Sequence, residues 1–104
     1  MRIIELDAGG WKTPLDFINA LKSAIGAPEW HGTSVHAFVD SMVTGDINAI
    51  EPPYVVRIAN AAGLPEDVLE LIGAISSAVK RGRLEKQTRT GEDTEVNLEF
   101  GGRR

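Results

Sequence analysis

Three residues near the middle of the chain carry side chains able to do chemistry: His31, and then His36 and Asp40, four positions apart. On a helix that spacing puts His36 and Asp40 on one face. Imidazole and carboxylate suit either metal ligation or acid–base catalysis. A histidine-based metal site needs more ligands, and the sequence has no H-E-x-x-H pattern and no second histidine pair to supply them. No metal and no other cofactor is therefore expected. Two histidines beside a carboxylate would also fit ribonuclease chemistry, but such a site needs cations to grip phosphate. Residues 23–56 contain no Lys or Arg, so an enzyme acting on RNA is not expected.

The charge distribution says more about partners than the net charge of −4 does. Residues 1–79 hold four Lys or Arg against ten Asp or Glu, whereas residues 80–104 hold seven against five. An acidic body repels nucleic acid and suits a basic protein. The cluster Lys80, Arg81, Arg83, Lys86 and Arg89 reads as a solvated charged segment, and no direct nucleic-acid contact is expected from it. With 104 residues, 42% hydrophobic and 25% charged, the chain is expected to form one globular domain over residues 1–100, with a flexible tail at 101–104. The absence of cysteine rules out disulfides and thiolate metal sites. A carboxylate interrupts Met1-Arg2-Ile3-Ile4-Glu5-Leu6-Asp7 too early for a signal peptide, and no run reaches membrane-spanning length. A cytoplasmic location with no membrane association is the expectation.

The elements that must position His31, His36 and Asp40 can be read from pattern and punctuation. Arg2 to Leu6 reads as a short buried strand ending at Asp7-Ala8-Gly9-Gly10. Thr13 can cap a helix with Pro14 in its first position and Asp16 completing a capping box. Phe17, Ile18, Leu21, Ala24 and Ile25 continue that helix to a stop at Gly26. Gly26 to Gly32 is a loop. A second helix is expected from a cap at Thr33 or Ser34 to about Val43, with Val35, Phe38 and Met42 buried and Gly45 as terminator. Tyr54 to Ile58 is β-branched and reads as a strand. The longest helix opens at Pro65-Glu66-Asp67, buries Val68, Leu71, Ile72, Ile75 and Val79, and is expected to end before Gly82. Arg83 to Asp93 is read either as a mobile loop or as an additional strand. Thr94 to Phe100 alternates, which predicts a half-buried strand with Val96, Leu98 and Phe100 inward. Helical crossovers between strands favour right-handed parallel connections. The expected fold is α/β: a three-stranded, mainly parallel sheet packed against three to four helices.

The stretch Asp16-Phe17-Ile18-Asn19-Ala20-Leu21, followed by Ala27-Pro28-Glu29-Trp30-His31-Gly32 and Ala37-Phe38-Val39-Asp40, resembles the barstar-like family of intracellular ribonuclease inhibitors. The close likeness covers about residues 13–45, and the remainder agrees in the order of its elements. The resemblance implies a three-stranded parallel sheet with packed helices, in agreement with the patterning. It also implies that the loop at Trp30–Gly32 and the second helix enter a ribonuclease active site, with Asp40 standing where the scissile phosphate would bind. A carboxylate on a rigid helix can accept charge-assisted hydrogen bonds from the cations that grip phosphate. The chain departs from the family pattern in three places: His36 stands where a further acid is expected, Val39 replaces a large aromatic, and Ser77 replaces an acid of the last long helix.

The resemblance thus implies a binder rather than an enzyme: an immunity-type inhibitor of a ribonuclease or ribonuclease-fold toxin, monomeric when free. The alternative reading is a barstar-like module for another basic protein, without ribonuclease inhibition. The interface residues expected on either reading are Trp30, His31, Gly32, His36, Val39, Asp40, Val43 and Thr44. Trp30 stays open between core packing and partner contact, since a tryptophan does either. Gly32 is expected to serve the backbone turn.

Overall fold

The computed structural model of the protein describes residues 2–45 and 47–101. Its elements run β1 (Arg2–Asp7), α1 (Pro14–Ile25), α2 (Val35–Val39), a π-helical turn (Asp40–Thr44), β2 (Tyr54–Ala59), α3 (Glu66–Thr90) and β3 (Val96–Phe100). The three strands form one sheet in the order β1-β2-β3, and both pairings are parallel. The α/β fold expected from the patterning is the fold observed. Gly101 extends the β2–β3 ladder by donating its N–H to the Ile58 carbonyl at 2.7 Å. Residues 102–104, the rest of the expected tail, lie outside the described residues.

The core follows the period-2 logic of strands and the 3.6 period of helices. Tyr54, Val56 and Ile58 of the central strand are buried, as are Leu6 from β1 and Val96 and Leu98 from β3. Phe17, Leu21 and Ile25 from α1, Phe38 and Met42 from the second helical segment, and Val68, Ile72, Ile75 and Val79 from α3 close over that face. The helices start and stop where their chemistry says. The Thr13 hydroxyl accepts from the Asp16 N–H, and the Asp16 carboxylate accepts from the N–H groups of Lys12 and Thr13, forming the capping box. Gly26 ends α1 at φ 69°. A Cβ there would sit 2.5 Å from that of Ala49, so both conformation and space require glycine.

Two expectations are corrected. α3 does not end before Gly82 but continues to Thr90, where Gly91 at φ 82° donates its N–H to the Gln87 carbonyl at 2.8 Å. Most of the segment read as a loop or strand is therefore helix. A glycine inside a helix costs only about 1 kcal/mol relative to alanine, and tertiary contacts of the extension outweigh it. Phe100 is the second correction: it is 49% exposed, because it ends an edge strand that has a neighbour on one side only.

Candidate protein-binding site

The loop between α1 and α2 is built around His31. Its backbone N–H donates to the Pro28 carbonyl at 2.9 Å, and its own carbonyl accepts from the Lys22 ammonium of α1 at 3.0 Å. The ring lies 2.6 Å through Nδ1 from the Gly32 carbonyl and 2.8 Å through Nε2 from the Ser41 hydroxyl. A carbonyl only accepts, so Nδ1 carries a proton toward Gly32, while Nε2 pairs with the Ser41 hydroxyl, which also lies 3.4 Å from the Phe38 carbonyl. The imidazole also packs against the Phe38 ring at 4.8 Å between centroids. His31 is therefore an internal tie between loop and helix, only 5% exposed, with its imidazole inside the fold.

Driving His31 inward leaves its neighbour outside. Trp30 is 74% exposed, the most exposed large apolar side chain among the described residues. That resolves the open choice for this tryptophan against the core. Gly32 is exposed, and a Cβ there would meet only the Ala37 side chain, at 3.5 Å.

α2 begins at Ser34, whose hydroxyl accepts from the Ala37 N–H at 3.0 Å. Phe38 is fully buried and Val35 half-buried, which turns His36 and Asp40 outward. Their side chains are 86% and 58% exposed, with Nε2 3.6 Å from the nearer carboxylate oxygen. A pair this solvated contributes little to stability. From Asp40 the helix widens into the π turn, in which Ser41, Met42 and Val43 are all buried. An α-helix rotates about 100° per residue and would swing three consecutive side chains across more than half its circumference. The wider turn keeps them toward the core. The Val43 side chain is thus buried and Thr44 exposed.

A groove between α2 and α3 adjoins this surface. Val35, His36 and Val39 line one wall; Ala78, Arg81, Gly82 and Glu85 line the other. The four α3 positions fall at i, i+3, i+4 and i+7, one face of a continuous helix. Their spacing was the available signal for Arg81 and Glu85, and it is hidden once a helix stop is placed at Gly82. Gly82 itself sets the width: a Cβ there would come within 2.9 Å of Val39 Cγ1 and 3.3 Å of Val43 Cγ2. Ser77 is exposed on α3.

Of the eight residues expected at an interface, the structure presents the side chains of Trp30, His36, Asp40 and Thr44 and the backbone of Gly32 on the surface. Val39 is half-buried against α3, and His31 and Val43 are buried. Among the described residues no group of three or more His, Asp or Glu side chains is placed to hold a metal ion, and no helix is long and apolar enough to cross a membrane. The arrangement offers a protruding indole and a solvated carboxylate on a packed helical scaffold, which is the chemistry of a contact surface. No curated protein sequence matches the chain. The family model Barstar (barnase inhibitor), however, matches residues 1–99, which is nearly the whole chain and includes β1, β2, all of β3 but Phe100, and every element that bears the surface just described. The chain belongs to the Barstar family.

Proposed function

We propose that the protein is an immunity-type inhibitor of a barnase-type ribonuclease in the cytoplasm of its producing cell, and that Asp40 acts as its phosphate mimic. The observation that carries this reading is the setting of Asp40. Its carboxylate is exposed on a helical segment whose opposite face buries Phe38 and Met42, and His36 is the one side chain within ion-pair distance of it among the described residues. A ribonuclease active site is a cluster of cations built to hold phosphate, and a preorganised carboxylate satisfies it without reorganisation. Trp30, exposed on the loop that His31 ties down, supplies an apolar anchor. Gly32 and Thr44 extend the contact, and Val39 and Val43 support it from behind.

A related reading has the same surface binding another basic protein. His36 and Ser77, standing where acids are implied, and Arg81 in the groove favour a partner whose rim differs from that of the family's usual target. Titration of ribonucleases with the protein, read as inhibition of RNA cleavage, separates the two. The panel consists of barnase and any ribonuclease encoded beside this gene. Asp40→Ala should weaken the complex by about 2–5 kcal/mol, mainly through faster dissociation, because the partner's cations would be left buried without a counter-charge. Glu66→Ala and Glu92→Ala, at exposed acids elsewhere, should leave affinity nearly unchanged. Equal affinity of wild type and Asp40→Ala would remove the phosphate-mimic mechanism.

A further inference from the structure

The far end of the π turn is held by two elements remote from it in sequence. The Val43 carbonyl accepts from the Lys86 ammonium of α3 at 3.2 Å and from the Thr94 hydroxyl, just before β3, at 3.0 Å. Lys86 Nζ also lies 3.0 Å from Thr94 Oγ1. The single hydroxyl proton is directed at Val43, so the ammonium donates to the hydroxyl oxygen and the three groups close a triangle. The last carbonyls of a helical segment have no partner within it and carry the negative end of its dipole. A half-buried cation and a hydroxyl meet both needs at once.

This triangle exists only because α3 runs past Gly82. The glycine allows α3 to approach Val39 and Val43 closely, and one helical turn further on Lys86 reaches the carbonyl. The near end of the same segment is tied independently, through the His31–Ser41 hydrogen bond. Asp40 directly precedes the residue tied at the near end and opens a turn only five residues long, whose far end Lys86 and Thr94 hold.

We infer that Lys86 and Thr94 are positioning residues for Asp40: by holding the end of the π turn they fix the direction in which its carboxylate is presented. The inference rests on the reading of Asp40 as the ribonuclease contact, and its test has an arm independent of that reading. Backbone amide exchange is measured on the full chain for wild type, Lys86→Met, Thr94→Val and Thr94→Ser. In the Met and Val variants the amides of residues 41–45 should exchange about tenfold faster, the loss expected for one charge-assisted or buried hydrogen bond, while those of β2 keep their rates. Thr94→Ser retains the hydroxyl and should match wild type. Uniform acceleration across both segments, or none in residues 41–45, would overturn the inference. In the second arm barnase is the probe, and the Met and Val variants should dissociate from it about tenfold faster than wild type. Faster local exchange with an unchanged dissociation rate would show that the tie does not aim Asp40. If wild type itself fails to bind barnase, inhibition of barnase falls, and the exchange pattern still decides whether the triangle holds the turn.

Discussion

Trp30 and His31 are chain neighbours with opposite environments, and the hydrogen-bonding capacity of imidazole separates them. His31 has two ring nitrogens and finds a partner for each inside the fold, whereas the indole is left 74% exposed. Side-chain ties of this kind recur on the other flank of the molecule. Arg83 makes a two-pronged contact with Asp93, at 2.9 and 2.6 Å, and reaches the Val96 carbonyl and the Asn97 side chain through its third nitrogen. The guanidinium, together with the Glu95 N–H at 3.1 Å, holds the Asp93 carboxyl below its ordinary value of 3.8. A depressed folded value means that the stabilisation is fully present above the ordinary carboxylate range and is lost as pH falls from there through the depressed value. Asp93→Asn should therefore be less stable than wild type at pH about 7, with the gap closing on acidification below the ordinary range. Urea midpoints of the two proteins at neutral and acid pH provide the check, and a gap independent of pH would contradict it.

Among the elements, α3 departs most from its expected length, and its two interior glycines have opposite surroundings. An added Cβ at Gly73 meets nothing within 4 Å, whereas at Gly82 it would press on two β-branched side chains, Val39 and Val43. Gly73→Ala should stabilise the protein by about 0.5–1 kcal/mol through helix propensity alone. Gly82→Ala gains the same propensity but overpacks the contact with α2, a cost of about 1–3 kcal/mol. A net loss of about 1 kcal/mol is expected, the difference between those two effects. Chemical denaturation of the two variants side by side tests this, and similar gains in both would show that α2 yields freely. The short α2 and its π turn have little helical stability of their own at that length. They stand because Phe38 and Met42 are buried and because α3 lies close enough to brace them.

For the molecule as a whole, the sheet is covered on one face only. On the other, Glu5, Arg57 and Glu99 sit in register across the three strands, with Arg57 Nε 3.3 Å from Glu99. Parallel sheets are usually buried on both faces, so this one depends heavily on the helical layer and on every strand in the ladder. A chain ending at Asp93 loses the whole of β3, including Val96 and Leu98, at 0% and 3% exposure. Their burial is worth about 1.5–3 kcal/mol each, the ladder to β2 goes with them, and Arg83 loses its partners in β3. That is a large part of the stability of about 5–15 kcal/mol typical of a domain. The truncated chain should show no cooperative thermal transition by circular dichroism, whereas retention of the wild-type midpoint would mean that β3 is dispensable.

The sequence by itself determined what local chemistry controls. Thr13 with Asp16, Pro14 and Gly26 bound α1, and the β-branched run at Tyr54 identifies the central strand. The helix-length crossovers then favour parallel pairing of the three strands, and the structure supplies their order, β1-β2-β3. Family membership was legible for a similar reason: the loop and helix around Trp30–Gly32 and Ala37–Asp40 carry their motif in contiguous residues. What only the tertiary structure decided depends on neighbours distant in sequence. Nothing local tells a helix-ending Gly82 from one that admits Val39. Nothing local turns His31 inward toward Ser41 and Trp30 outward, or brings Lys86 and Thr94 to the Val43 carbonyl. Phe100 obeys the alternation of its strand and is still half-exposed, because period gives the face of a residue and only the packed layers decide whether anything covers it.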